Sequence, residues 1–191
     1  MMDKSQAIRI LGISGSLRSA SFSTALLNAL EEHPLPKMAI SVRTLEDIPF
    51  YNEDIDVQPA LPPIADFRSK VAGSDGIVIA TPEYNHGVPG GVKNALDWAS
   101  RPAFASCFQG KPVLIINSAP AFTDGVRAQY QLRETSSFML AHIVPGLEIV
   151  VAGVIARMSQ GRFTDEESLA FIATGLNRLC EEVLSQQAVA R

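Results

Sequence analysis

Five short apolar runs, at Ala7–Ile13, Met38–Arg43, Gly76–Ala80, Val113–Asn117 and Leu147–Val151, alternate along this chain with longer stretches of helical periodicity. The runs are rich in β-branched residues and apolar on both faces, which is the pattern of parallel strands covered on each side. Between them apolar residues recur at i, i+3, i+4 and i+7 spacing. Phe22, Ala25, Leu26, Ala29 and Leu30 mark a first helix beginning near Ser21, and Leu61, Ile64, Ala65, Val71 and Ala72 a second, opened by Pro59, Pro62 and Pro63. Val92, Ala95, Leu96 and Ala99 mark a third, with Pro89 in its opening turn, and Ala128, Leu132 and Met139 a fourth. The last carries Leu169, Ile172, Ala173, Leu176, Cys180, Val183 and Leu184, with Thr164 and Glu167 read as a capping box. Parallel strands need crossovers, and these are nearly always right-handed. The alternation therefore predicts a doubly wound α/β fold, with helices on both faces of a five-stranded parallel sheet in the order 2-1-3-4-5.

Such folds take ligands at the carboxyl ends of the strands where the order reverses. The loops after the first and third runs flank that point, and both are chemically unusual. Gly15-Ser16-Leu17-Arg18-Ser19-Ala20-Ser21-Phe22-Ser23 leads from a strand into a helix N-terminus through hydroxyls and one arginine. Unpaired N–H groups of a first helical turn, the positive end of the helix dipole and a guanidinium all favour an anion. Serine and glycine there also make ordinary turns and caps, but a cap needs no cation, and Arg18 tilts the reading to a phosphate seat. Hydrogen bonds to a charged group contribute about 1.5–3 kcal/mol each, whereas nanomolar binding needs about 12. The second loop, Pro82-Glu83-Tyr84-Asn85-His86-Gly87, would supply the rest by holding something flat.

Size and charge exclude several alternatives. The 191 residues suit one domain spanning 1–191, and 16 basic against 20 acidic residues leave no electrostatic footprint for nucleic acid. Two cysteines, Cys107 and Cys180, make neither a disulfide framework nor a metal motif. Met1 to Gln6 enters the first run without the long apolar region of a signal peptide, and no stretch approaches the roughly 18 residues of a membrane span. The expected setting is cytoplasmic. The phosphate-loop pattern G-x-x-x-x-G-K-[ST], the dinucleotide pattern G-x-G-x-x-G after the first strand, H-E-x-x-H and G-x-S-x-G are all absent, which removes support for nucleotide hydrolysis and acyl transfer.

The residues that fill the two loops carry a resemblance. Gly15-Ser16-Leu17-Arg18 with Ser21 and Ser23, Pro82-Glu83-Tyr84-Asn85 continuing through Pro89-Gly90 and Lys93-Asn94-Ala95-Leu96-Asp97-Trp98, and Arg127-Ala128-Gln129-Tyr130-Gln131-Leu132-Arg133 are similar to the NADPH-dependent FMN reductase family. These are the flavodoxin-like quinone, chromate and azo-dye reductases. The resemblance covers roughly Ile8 to Leu140. It implies FMN as cofactor, NADPH or NADH as donor, a quinone or other small acceptor such as chromate, an azo dye or free FMN, and a homodimer or homotetramer with the site near the subunit interface. It also implies flavin contacts from Ser16, Arg18, Ser21, Ser23, Pro82, Glu83, Tyr84, Asn85, His86 and Ser118, with no catalytic side chain because the flavin carries the chemistry.

His86 faces either substrate or solvent. Arg101 is either a rim cation for the nicotinamide dinucleotide or a solvated charge, and Arg127 with Tyr130 faces a partner subunit or water. Trp98 and the two cysteines read as packing. The chain departs from the family at Ser23, where asparagine is common, and in Ser118–Gly125, where Phe122 and Thr123 are expected to narrow the space beside the flavin. A flavodoxin-like electron carrier is the alternative function, disfavoured because such carriers tend to be strongly acidic and this chain has a net charge of only −4.

Overall fold

The computed structural model describes residues 7–33, 35–120 and 125–189. Phe122 and Thr123, with the narrowing expected of them, lie outside the described residues, as does the Met1–Gln6 segment. In chain order the elements are β1 (Ile8–Ser14), α1 (Phe22–Glu32), β2 (Met38–Arg43), α2 (Pro62–Gly73), β3 (Gly76–Thr81), α3 (Gly90–Ala99), β4 (Pro112–Ser118), α4 (Val126–Phe138), β5 (His142–Ile143), β6 (Ile149–Val151), β7 (Met158–Ser159), β8 (Arg162–Phe163) and α5 (Glu166–Val189).

The main sheet has the order β2-β1-β3-β4-β5, all parallel, with β6 also paired to β4. Alternation of side chains divides the core in two. Ile8, Ile10, Val78, Ala80, Leu114 and Ile116 pack on one face against Leu26, Leu27 and Leu30 of α1 and Ile172, Leu176 and Leu179 of α5. Leu11, Ile13, Ile77, Ile79, Val113 and Ile115 pack on the other against Phe67 of α2, Val92 and Leu96 of α3 and Leu132 of α4. Every residue of β3 is buried, and each such Val or Ile contributes about 1.5–3 kcal/mol relative to exposure. The chain thus leaves β1 toward one face and β3 toward the other, which opens a crevice between their carboxyl ends.

Two expectations need correction. The fifth strand is not one run at Leu147–Val151 but two short pieces, because Pro145-Gly146, with Gly146 at φ 142, interrupts it and leaves Leu147 71% exposed. The α5 cap is not Thr164. Asp165 Oδ2 accepts from the Ser168 N–H at 2.9 Å while its carbonyl accepts from Leu169 at 3.0 Å.

Candidate functional site

At the crevice Gly15 N–H donates to the Ala80 carbonyl at 2.7 Å, binding the first loop to the end of β3. That approach needs glycine, since a Cβ there would lie 2.4 Å from Thr81 Oγ1 and 2.8 Å from Val92 Cγ2. Ser21 caps α1, its side chain accepting from Thr24 N–H at 3.1 Å. The earlier N–H groups of that turn have no partner within the helix.

A cleft of about 250 Å³ opens here, lined by Ser16, Arg18, Phe22, Ser23, Pro82, Glu83, Tyr84, Ser118, Ala119 and Pro120. Seven of the ten residues expected at the site therefore share one cavity. The Ser16 and Tyr84 hydroxyls are 3.4 Å apart, joining the two loops, and the buried Ser23 and Ser118 hydroxyls are paired at 2.9 Å beneath them. Arg18 is exposed, with its guanidinium carbon 5.6 Å from the Phe22 ring centre. Among the described residues no carboxylate lies within ion-pair distance of it.

Three expected residues do not line the cleft. Ser21 is spent on its helix cap. Asn85 and His86, at φ 51 and 65, form the tip of a tight turn closed by two hydrogen bonds between Tyr84 and Gly87, each 3.0 Å. Positive φ at both central positions is the type I′ geometry. Neither residue lines the cleft, and the His86 side chain is 73% exposed with Nδ1 3.7 Å from Glu83 Oε1.

Glu83 touches the cleft, yet its carboxylate is engaged on the outside. Oε2 accepts from the N–H groups of Gly125, Arg127 and Ala128 at 3.1, 3.0 and 3.1 Å, and the side chain is only 3% exposed. Burial pushes this carboxyl up, but the three backbone donors and the Arg127 cation outweigh it and hold it below the usual glutamate range. The positive end of α4 is thereby satisfied from within the protein.

Several nearby candidates are structural. Trp98 is buried, donates from Nε1 to the Pro49 carbonyl at 2.8 Å and meets Tyr51 edge-on. Asn94 holds the same segment, donating to Pro49 and accepting from Tyr51 N–H. Arg101 lies over the Tyr51 ring, with 5.7 Å from its guanidinium carbon to the ring centre, and lines a separate cavity between the ends of α3 and α4. Burial pushes the Cys107 thiol up to about 11, leaving it unreactive at neutral pH. Among the described residues no cluster of metal-binding side chains exists, and no helix is long and apolar enough to cross a membrane.

A doubly wound sheet in this order, with an anion-favouring crevice at its reversal point, defines a flavodoxin-like α/β protein. A model of the family described as NADPH-dependent FMN reductase matches residues 8–155, and the chain belongs to that family. It is 38% identical over 176 residues to an NAD(P)H-dependent FMN reductase of Pseudomonas aeruginosa, covering 92% of this chain and 95% of that one. It is 29% identical to a quinone reductase of Pseudomonas putida, over 97% of this chain and all of the other. Among solved structures, the flavoenzyme NAD(P)H:(acceptor) oxidoreductase FerB of Paracoccus denitrificans superposes with a TM-score of 0.78 at 26% identity, covering 94% and 98% of the two chains.

Proposed function

We propose that the cleft between the Gly15–Ser23 loop and the Pro82–Tyr84 wall binds FMN, and that the protein passes two electrons from NADPH or NADH to a quinone. The observation that carries this reading is Arg18, exposed at the amino end of α1 without a carboxylate partner among the described residues, on the rim of the cleft. The donor set fits a phosphate ester. Arg18 supplies charge, Ser16 and Ser23 supply hydroxyls, and the first turn of α1 supplies N–H groups and a favourable dipole. The opposite wall suits a flat ring with a polar edge, since Pro82 and Tyr84 offer apolar surface and their backbone offers donors and acceptors.

FMN, when bound, supplies the hydride and electron chemistry. The protein's part is to anchor the phosphate, hold the ring against the 82–84 backbone and keep one ring face open to donor and acceptor in turn. No side chain needs to exchange a proton for these tasks. From the family resemblance we extend the proposed acceptors to chromate, azo dyes and free FMN. We also propose that residues 1–191 act as one flavin-binding unit in a cytoplasmic homodimer or homotetramer, without nucleic-acid or membrane partners. Anaerobic mixing of the protein with FMN and NADPH tests the core of the reading. The yellow flavin absorbance is expected to bleach and to return on adding a quinone, whereas flavin that stays oxidised in the presence of NADPH refutes it.

A further inference from the structure

The turn that forms the cleft wall opposite Arg18 is held from behind at two points on a single helix. At its start Glu83 places Oε2 against the amino end of α4, with N–H groups of Gly125, Arg127 and Ala128 at 3.1, 3.0 and 3.1 Å. At its end the Val88 N–H donates to Gln131 Oε1 at 2.8 Å, about one turn further along α4. Gly87 lies so close to that amide that an added Cβ would sit 3.0 Å from Gln131 Oε1. Between the two anchors the paired Tyr84 and Gly87 close the turn on itself. None of Gln131, Gly125, Arg127 and Ala128 is among the residues that line the cleft.

A short surface turn without such anchors samples many backbone states, and fixing each residue costs about 1–2 kcal/mol of conformational entropy. When the ordering is already in place, ligand binding no longer bears that cost. We infer that Glu83 and Gln131 are positioning residues, a two-point clasp from α4 that fixes the Pro82–Tyr84 backbone and so sets flavin affinity. This inference rests on the reading that the cleft takes FMN. It also assigns the two helix amino ends separate duties, with α1 left for the phosphate and α4 consumed by Glu83.

Glu83 is buried and its removal endangers the start of α4, so the test uses exposed Gln131. Gln131→Met removes the acceptor at similar length, and Gln131→Glu retains it. Two readouts are taken, amide exchange at Val88 in the flavin-free protein by NMR and FMN affinity by fluorescence quenching. Gln131→Met is expected to speed Val88 exchange and to weaken FMN binding, each about fivefold, the scale of one ordinary hydrogen bond. Its flavin-free melting temperature should fall by no more than the few degrees that one such bond is worth, and Gln131→Glu should restore both readouts. Wild-type FMN affinity in Gln131→Met, or failure of Gln131→Glu to rescue, overturns the clasp while leaving the flavin site intact. Wild-type protein that does not quench FMN at all overturns the flavin reading and the clasp with it.

Discussion

Replacing Arg18 by alanine separates the proposed phosphate seat from everything else in the protein. The side chain is exposed, and among the described residues it meets the ring of Phe22, 5.6 Å from the guanidinium carbon. An exposed cation–π contact is worth about 0.5–1 kcal/mol, so flavin-free stability should fall by no more than that. Binding is different. The phosphate of FMN carries about −1.5 to −2 charges at pH 7, and hydrogen bonds to charged groups contribute about 1.5–3 kcal/mol. At about 1.4 kcal/mol per decade this is a loss of roughly ten- to 150-fold in FMN affinity. Riboflavin, which lacks the phosphate, provides the internal control.

Titrating both flavins by fluorescence quenching should show Arg18→Ala impaired toward FMN and unchanged toward riboflavin. Arg18→Lys, which keeps the charge but not the planar fork, should fall between. Raising ionic strength should weaken FMN binding in wild type more than in Arg18→Ala, because the lost interaction is the one that salt screens. Equal FMN affinity in the two proteins, or an equal loss for riboflavin, would refute the seat.

The Glu83 carboxylate makes a second, pH-dependent case. Its folded value lies below the unfolded one, so its stabilisation is full above the ordinary glutamate range near about 4.3 and is lost as pH falls through the depressed folded value. Acid titration of the amide signals at Arg127 and Ala128 should therefore show the α4 contact intact at pH 5 and opening only below the ordinary glutamate range; opening already at pH 5 would count against the geometry. Gly15→Ala puts a Cβ 2.4 Å from Thr81 Oγ1 and 2.6 Å from Thr81 Cβ, an overpacking expected to cost about 1–3 kcal/mol and several degrees of melting temperature, while prising the two cleft loops apart. Unchanged melting and unchanged FMN affinity in that variant would show that the β1 and β3 ends need no such close approach.

The fold was legible where burial alone decides structure. β2 spans the predicted Met38–Arg43, β3 runs one residue past its predicted end, and β1 and β4 differ from their predicted runs by one residue at each end, because each is a continuous apolar segment between helices. Legibility failed at the sheet's far edge. His142 and Ile143 are too short and too exposed to register as an apolar run, yet they pair with Pro112 and Val113 of β4. The hairpin of β7 and β8 escapes the apolar pattern for a related reason, since each strand has only two residues. Its turn residues Gln160 and Gly161 have φ 49 and 78, and the glycine was the available signal.

The site divides along the same physical line. Ser16, Arg18, Ser23, Pro82, Glu83, Tyr84 and Ser118 could be brought together on paper because they follow β1, β3 and β4, which are neighbours in the sheet. What a residue does there is harder to read when its partner is remote. Glu83 meets donors 42 to 45 positions away, and nothing within its own loop announces them. The reverse holds for the Lys93–Trp98 stretch, which carries part of the family resemblance without lining the cleft. Asn94 and Trp98 bind the Pro49–Tyr51 segment, and Arg68 donates to both the Trp98 carbonyl and Asp56. That network ties the long β2-to-α2 connection to α3, the helix that follows the cleft wall. The stretch from Pro82 to Trp98 therefore serves two tasks at once, lining the cleft at its amino half and holding the Pro49–Tyr51 connection at its carboxyl half, and only the hydrogen-bond partners tell them apart.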